Sequence, residues 1–235
     1  MEAVRPFWSY YGAKYRSALK YPAPIHDTII EPFAGAAGYS LRYHDRYVVL
    51  VETYPLIAEL WRYLIRVTAA EIRAIPLVNS VDDLPSWVPI GGRTLVGFLM
   101  NDANVSPRKT LSQGIRRHQA KGYDTGWCAA RRNRVATQVD KIRHWTIIEG
   151  DYTKVPTHFR ATWFVDPPYA GAPGRHYVHN LLDYSRLGEW CQALAGQVMV
   201  CENAGATWLP FVPFANFPRA ISGKCSEEVL WYRQS

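Results

Sequence analysis

The sequence lacks the features of a secreted, membrane-spanning or metal-binding protein. Its four cysteines are widely spaced and form no Cys-x-x-Cys pair, which argues against a zinc site or a disulfide framework. No apolar run approaches the roughly 18 residues that a membrane span requires, and no apolar segment of a signal peptide follows the first residues. His176 and His179 have no further ligand cluster beside them. We therefore expect a cytoplasmic protein that binds neither a membrane nor a metal.

The sequence also lacks the Gly-x-Gly-x-x-Gly fingerprint of dinucleotide-binding proteins. A loop of small residues, 34–38, stands instead between an apolar strand at 28–30 and a segment after Gly38 that is predicted to be helical. Such a strand–loop–helix unit lets a ligand lie against the backbone near a helix N-terminus. The pattern favours a nucleotide-like ligand and makes a dinucleotide-dependent oxidoreductase the weaker alternative.

Acidic residues are scarce in one part of the chain. The 235 residues carry a net charge of +7, but residues 105–144 hold ten cations and two acids, so that this segment carries +8 and the remainder −1. Cations interleaved with Tyr123 and Trp127 suit phosphate contact and base stacking, although a solvated charged helix is the alternative. The predicted DNA-binding residues are Arg108, Lys109, Arg116, Arg117, Lys121, Arg131, Arg132 and Arg134.

The stretch Asp166-Pro167-Pro168-Tyr169 follows an apolar, β-branched and aromatic run at 161–165. That run predicts a buried strand, and two prolines cannot continue its hydrogen-bond ladder. The pattern therefore predicts an acid at the carboxyl end of a strand, then a stiff turn and an exposed aromatic ring. The Asp166 carboxylate and the Pro167 carbonyl beside a flat ring suit a planar substrate with an amino group. A plain strand end with Tyr169 in the core is the alternative.

Other acids are predicted at strand ends as well. Glu52 ends a continuously apolar strand about twenty residues after the start of the small-residue loop, where an acid can accept both ribose hydroxyls of an adenosine. Asp151 follows another strand, and it either faces an adenine amino group or caps its own turn. Because parallel strands end at one edge of a sheet, we expect the loop, Glu52, Asp151 and Asp166 to line one cleft.

The alternation of strands and helices predicts an α/β fold, a doubly wound and mostly parallel Rossmann-like sheet with helices on both faces. The alternation breaks down over 68–144, where a mainly helical, basic section is predicted. We predict a catalytic domain over 1–67 and 145–235, with 68–144 as an inserted recognition region. Near the end of the chain, 220–224 and 228–232 are predicted to form a closing antiparallel pair.

With these residues the chain resembles the adenine-specific amino-methyltransferases of DNA, in particular the Dam-like, alpha-ordered group and its phage-type members. Asp166-Pro167-Pro168-Tyr169 is similar to the catalytic tetrapeptide of that family, and 31–38 to its Asp/Glu-Pro-Phe-x-Gly-x-Gly loop. The segment 7–14 resembles the family's N-terminal cofactor motif. Glu52 matches its ribose-binding acid and Asp151 its adenine-facing acid. The order of these motifs along the chain is also that of the family.

The resemblance implies a binding site for S-adenosyl-L-methionine as methyl donor. The chain departs from the family pattern at Ala13 and Ala36, where glycine is usual, and at Tyr10, where tryptophan is common. Lys14, judged alone, could hold a carboxylate or a phosphate or be solvated. The cofactor-binding residues that the resemblance implies are Tyr10, Gly12, Lys14, Glu31, Pro32, Phe33, Ala34, Gly35, Gly38, Glu52, Thr53, Asp151, Tyr152 and Asp166, and the catalytic ones are Asp166, Pro167, Pro168 and Tyr169.

The resemblance further implies methyl transfer to the N6 amino group of an adenine that is flipped out of duplex DNA, in a bacterial cell or a phage-infected bacterial host. Arg116, Arg117 and Asn133 are candidates to read bases, while the other cations would hold phosphates. No obligatory protein partner is expected. The alternatives keep the chemistry with RNA adenine, DNA cytosine N4 or a protein glutamine amide as acceptor, or make the chain a non-catalytic nucleic-acid-binding protein on a methyltransferase scaffold.

Overall fold

One seven-stranded sheet organises the computed structural model, which describes residues 3–102, 104–170, 182–218 and 225–235. The strands are β1 (Thr28–Glu31), β2 (Tyr47–Glu52), β3 (Thr146–Glu149), β4 (Ala161–Val165), β5 (Gly196–Asn203), β6 (Val212–Pro218) and β7 (Cys225–Gln234). They lie in the order β3-β2-β1-β4-β5-β7-β6. The strands β1 to β5 pair in parallel, and β7 runs antiparallel to both β5 and β6.

The α-helices of the described residues are α1 (Pro55–Arg66), α2 (Ala69–Ala74), α3 (Ile90–Met100), α4 (Gln113–Ala120), α5 (Ala129–Ala136) and α6 (Tyr184–Ala193). Pro55 starts α1 at its first turn, where the missing amide hydrogen has no partner to lose. Four of these helices, α2 to α5, lie within 68–144, so this section is mainly helical as predicted. The domain boundaries at 67 and 145 stay a prediction. Within the described ranges no helix is both long and apolar enough to cross a membrane.

Alternate residues of the central strands point to opposite sides of the sheet, and a hydrophobic core covers each side. Ile29 and Phe164 face one core, which includes side chains of α1 and α3. Ile30 and Trp163 face a second core, which includes Leu187 of α6. This arrangement confirms the predicted doubly wound, mostly parallel, Rossmann-like sheet.

The N-terminal segment is anchored in the first core by aromatic contacts. The ring of Trp8 lies 5.0 Å from Trp61 of α1 and 5.8 Å from Phe98 of α3, measured between centroids. Phe7 meets Trp61 edge-on at 6.0 Å. These contacts hold residues 10–14 against the loop that follows β1.

Two predicted helices are shorter than expected. The segment after Gly38 forms a four-residue 3-10 helix, Ser40–Tyr43, and not an α-helix. Only eight residues separate Gly38 from β2, which leaves no length for further helical turns. In 131–143 the spacing of Val135, Val139 and Ile142 predicts one amphipathic helix, but the structure divides this stretch into α5 and a 3-10 helix, Val139–Ile142.

The second member of the predicted closing strand pair, 228–232, lies in β7, which has an antiparallel neighbour as predicted. The strand that pairs with β7 is β6, over Val212–Pro218, whereas the predicted 220–224 lie outside the described residues. Pro213 argued against a strand at this position in the sequence, because proline interrupts the hydrogen bonds of a central strand. Proline is tolerated here because β6 is the edge strand and its register shifts between Pro213 and Ala215. His176 and His179 also lie outside the described residues.

Candidate active site

A cavity of about 320 Å³ opens at the carboxyl ends of the parallel strands. It lies where β2 and β4 leave β1 on opposite sides, which is the topological switch point at which doubly wound sheets bind ligands. Its volume is within the range of small-molecule sites. The predicted residues that line it are Tyr10, Gly12, Lys14, Glu31, Pro32, Phe33, Ala34, Gly35, Gly38, Glu52, Thr53, Asp151, Asp166 and Pro168.

Tyr152 is placed in the core and not on the cavity wall. Its ring is 7% exposed and packs 5.7 Å from Phe33 and 4.9 Å from Trp190, measured between centroids. A Gly-Asp-Tyr turn does not indicate on which side its aromatic ring will lie. Tyr152 therefore does not line the cavity as it stands, and its role as a cofactor contact stays a prediction.

Gly38 allows the N-terminal segment to lie directly on the small-residue loop. A Cβ atom at this position would stand 2.5 Å from the amide nitrogen of Tyr15 and 2.8 Å from that of Lys14. Both separations are shorter than any real contact of a Cβ atom. The absence of a side chain at Gly38 is what brings Lys14 into the cleft.

Glu52 is held at the end of β2 by backbone amides. Its Oε2 accepts a hydrogen bond from Gly35 at 2.9 Å, and its Oε1 accepts one from Tyr54 at 2.8 Å. Burial raises the pKa of Glu52, while these amide hydrogen bonds lower it. Because each carboxylate oxygen can accept a second hydrogen bond, Glu52 retains the capacity to bind hydroxyl groups in the cavity.

Glu31 serves the fold more directly. Its side chain is nearly inaccessible, and its Oε1 accepts a 2.6 Å hydrogen bond from the amide of Ser40. Burial raises the pKa of Glu31 to about 8, against the opposing effect of the hydrogen bond with Ser40. At neutral pH it is therefore mainly a neutral acid that anchors the start of the 3-10 helix, with part of its surface on the cavity.

Asp151 caps the turn that follows β3. Its Oδ1 accepts hydrogen bonds from the amide of Thr153 at 2.8 Å and from the Thr153 hydroxyl at 2.5 Å. The hydroxyl contact is the main cause that lowers the pKa of Asp151. The capping alternative is thus confirmed. Asp151 also lines the cavity, and its role toward an adenine amino group stays a prediction.

Asp166 stands directly after β4, in which all five residues are buried. The ammonium of Lys14 lies 2.7 Å from its Oδ1 and 3.0 Å from its Oδ2, although 152 positions separate the two residues. Burial raises the pKa of Asp166, and Lys14 opposes this shift. Burial alone would lower the pKa of Lys14, but the carboxylates of Asp166 and Glu228 outweigh it and raise that pKa. Lys14 therefore holds a carboxylate, and the carboxylate belongs to the proposed catalytic acid.

Glu228 on β7 completes this cluster and was not predicted. Its Oε1 lies 3.2 Å from the Lys14 ammonium and accepts a hydrogen bond from the Tyr169 hydroxyl. The Lys14 ammonium also lies 4.8 Å from the centroid of the Tyr169 ring. A single buried acid at the start of the apolar run of β7 is the sequence signal that could have indicated Glu228.

The turn after Asp166 is held from several sides. The carbonyl of Pro168 accepts a 2.7 Å hydrogen bond from the Tyr184 hydroxyl, and the amide of Ala170 donates to Glu202 Oε2 at 3.0 Å. Tyr169 is half-buried and packs against the first core, so the prediction of an exposed ring is wrong. Neither Pro167 nor Tyr169 lines the cavity as it stands.

The basic segment divides into exposed and structural cations. The exposed ones are Arg108, Lys109, Arg116, Arg117 and Lys121. In contrast, Arg131 forms a two-pronged pair with Asp102 at 2.8 and 3.0 Å, and Arg132 donates to the carbonyl of Ile75 at 2.8 Å. These two predicted DNA contacts have structural partners. Arg134 is half-buried.

The two aromatic residues of this segment also differ. Trp127 is 2% exposed and donates its indole N–H to the carbonyl of Pro76, so it cannot stack on a base as predicted. Tyr123 is 62% exposed. The position of a tryptophan within a basic segment does not reveal that it fills a core.

No protein-family model and no curated protein matches the chain. Among solved structures, the candidate methyltransferase yhhF of Escherichia coli aligns with 88% of this chain and 76% of its own, at 11% identity and a TM-score of 0.35. A conserved hypothetical protein of Streptococcus pyogenes aligns with 88% and 86%, at 11% identity and a TM-score of 0.34. Similarity at this level assigns neither a family nor an activity. The fold and the site define a Rossmann-like α/β protein with an acid-lined cleft at its switch point.

Proposed function

We propose that this protein transfers a methyl group from S-adenosyl-L-methionine to the N6 amino group of adenine in DNA. One observation carries the proposal: Asp166, the acid of Asp-Pro-Pro-Tyr, ends β4 in the same cavity as Glu52 and the loop after β1. A nucleoside on the β2 side and an amino-bearing base on the β4 side would then share one cleft. The resemblance of the tetrapeptide and the loop to those of adenine amino-methyltransferases supports this assignment.

The residues of the cleft fit S-adenosyl-L-methionine. Glu52 offers a fixed carboxylate for ribose hydroxyls, and Asp151 adds a second acid to the wall, which suits a ligand that carries sulfonium and ammonium charges. Lys14 is engaged with Asp166, so the cleft offers little to a pyrophosphate, and a dinucleotide fits it less well. When bound, the cofactor supplies an electrophilic methyl group.

Asp166 would activate the acceptor amino group by hydrogen bonding. The lone pair of an adenine amino group is delocalised into the ring, and hydrogen bonds from that group to Asp166 and to the Pro167 carbonyl would localise it. Lys14 already binds both Asp166 oxygens, but each oxygen can accept a second hydrogen bond. Because burial raises the pKa of Asp166, it is also a better acceptor for the proton that the methylated amino group releases.

An adenine inside a duplex cannot reach this cleft, so the proposal requires base flipping. Stacking of the flipped base on Tyr169, whose hydroxyl is fixed by Glu228, would require its ring to become accessible from the cavity, because the ring does not line the cavity as it stands. The exposed cations of residues 105–144 would bind backbone phosphates. These features favour a nucleic acid over a protein glutamine amide as acceptor.

The experiment that tests the proposal combines radiolabelled S-adenosyl-L-methionine with unmethylated duplex DNA, followed by nucleoside digestion and mass spectrometry. We expect label in N6-methyladenine. Label in N4-methylcytosine, or in adenine of RNA alone, would keep methyl transfer and overturn the substrate. No label, together with cofactor binding measured by calorimetry, would favour the non-catalytic nucleic-acid-binding alternative.

A matched pair of variants locates the chemistry. Asp166→Asn removes the charge of the proposed acceptor and should reduce methylation by at least about 100-fold, a typical contribution of a positioned catalytic group. Asp27→Asn makes the same change at an acid whose side chain is 89% exposed and should leave turnover unchanged. Near-normal turnover by Asp166→Asn would contradict the assignment.

A further inference from the structure

A second recess lies between the N-terminal segment and the end of α5. It measures about 370 Å³, and none of the described residues that line it also lines the active-site cleft. Of these six described residues, three are cations and none is acidic. The residues are Ala3, Arg5, Arg134, Thr137, Gln138 and Lys141.

The two segments that supply these cations are joined through one buried amide. Gln138 is 7% exposed; its Oε1 accepts a 2.6 Å hydrogen bond from the amide of Arg5, and its Nε2 donates to the Arg5 carbonyl at 3.4 Å. The Thr137 hydroxyl donates to the carbonyl of Arg134 at 3.0 Å. The recess is therefore built from backbone positions that the fold fixes.

Among the residues that the structure describes, two acids that could balance the charge of the recess already have partners. Asp140 pairs with Arg143 at 2.8 Å, and Asp102 pairs with Arg131 at 2.8 Å. The Nε of Arg134 is buried without a hydrogen-bond partner. Burial, Arg131 and Arg5 together lower the pKa of Arg134. An anion in the recess would offset the repulsion between its cations.

We propose that this recess binds a phosphate group of the nucleic-acid backbone. The inference rests on the proposed function, which makes a nucleic acid the substrate. It adds a phosphate-binding site to the exposed cations of residues 105–144. The planar donors of guanidinium groups match phosphate oxygens. Arg134 and Lys141 of the recess belong to the same basic segment, 105–144, as the exposed Arg116 and Arg117 of α4.

The test measures binding of a fluorescently labelled duplex by anisotropy over a range of salt concentrations. Arg5→Gln and Lys141→Gln should each weaken binding about tenfold and reduce the slope of log K against log salt by about one. Arg160→Gln removes an exposed cation before the amino end of β4 and serves as the charge-matched control. Unchanged affinity and slope in both recess variants would overturn the proposal.

Two further arms separate other sources of the anion. Inorganic phosphate should compete with DNA for the wild-type protein and less for the two recess variants; phosphate binding at the recess without any effect on DNA would overturn the nucleic-acid source. Glu2 lies outside the described residues. If Glu2→Gln bound the duplex more than tenfold more tightly than the wild type, the Glu2 carboxylate would be the anion that occupies the recess, and the proposal would be overturned. Because binding is measured without methyl transfer, loss of the proposed activity leaves this result interpretable.

Discussion

Replacing Lys14 with glutamine should destabilise the protein far more than replacing either carboxylate that Lys14 binds. Lys14 stands between Asp166 and Glu228, with its ammonium 2.7 Å from one carboxylate and 3.2 Å from the other. The cluster has two negative charges and one positive charge. Removal of the cation leaves two buried acids facing each other, whereas removal of one acid leaves a neutral pair.

The structure provides the magnitude of this difference. Without Lys14, an oxygen of Asp166 and an oxygen of Glu228 lie within 4.8 Å of each other, on side chains that are 19% and 5% exposed. At an effective dielectric constant near 20, two unit charges at this separation repel by about 3 kcal/mol. Removal of one partner of a buried ion pair, which leaves the other charge uncompensated, typically costs roughly 3–5 kcal/mol. For Asp166→Asn or Glu228→Gln we expect a loss of about 2 kcal/mol, the typical net value of a hydrogen bond to a charged group.

The destabilisation by Lys14→Gln should depend on pH. Burial already raises the pKa of Asp166, and Lys14 is the main group that lowers it, so the variant raises this pKa further. A carboxyl whose pKa is higher in the folded than in the unfolded state makes its full contribution to stability below the unfolded pKa. This contribution is lost as pH rises through the folded pKa. The deficit of the variant should therefore be large at pH 8 and small near pH 4.

Urea unfolding followed by circular dichroism at several pH values measures these differences. The two carboxylate variants are the matched controls, since each removes one charge from the same cluster. If Lys14→Gln were as stable as Asp166→Asn at pH 8, or if its deficit did not shrink on acidification, the charge balance described for this cluster would be refuted.

Two further predictions concern the loop after β1. Glu31 has a folded pKa of about 8, so the wild-type protein should lose stability as pH rises from its unfolded pKa to about 8. Glu31→Gln should remove this loss, which melting temperatures between pH 5 and pH 9 would reveal as a variant more stable than wild type only at high pH. Gly38→Ala would place a Cβ atom 2.5 Å from the Tyr15 amide nitrogen and should weaken binding of S-adenosyl-L-methionine in calorimetry and lower the melting temperature. Gly114→Ala, where the nearest atom is 3.8 Å away on an exposed helix, should do neither.

The features that the sequence predicted correctly are local ones. A run of apolar residues followed by two prolines indicates a buried strand with an acid at its end, and Asp166 stands there. The same holds for Glu52, which is the last residue of β2. Each of these depends on residues within a few positions of one another, so periodicity and proline geometry suffice to predict them.

The features that the sequence did not predict depend on distant pairing or on the side of a turn. Glu228 reaches Tyr169 across 59 positions, and only the pairing of β7 with β5 brings it there. The orientations of Tyr152 and Trp127 follow from which core is nearest in space. The strand β6 was missed because it contains Pro213. Proline is tolerated in a strand only at the edge of a sheet, and the edge position is a property of the whole sheet.

The N-terminal segment links the two sides of the cleft, and this link bears on how the proposed reaction would proceed. Its backbone rests on Gly38 in the loop, while the Lys14 side chain holds Asp166 at the end of β4. A ligand that moves this backbone would therefore also move the ammonium on Asp166. Glu228 lies 3.2 Å from that ammonium and offers it a second carboxylate. Lys14 can thus yield an Asp166 oxygen to a substrate amino group without leaving its own charge unpaired, because the alternative acceptor is already in place.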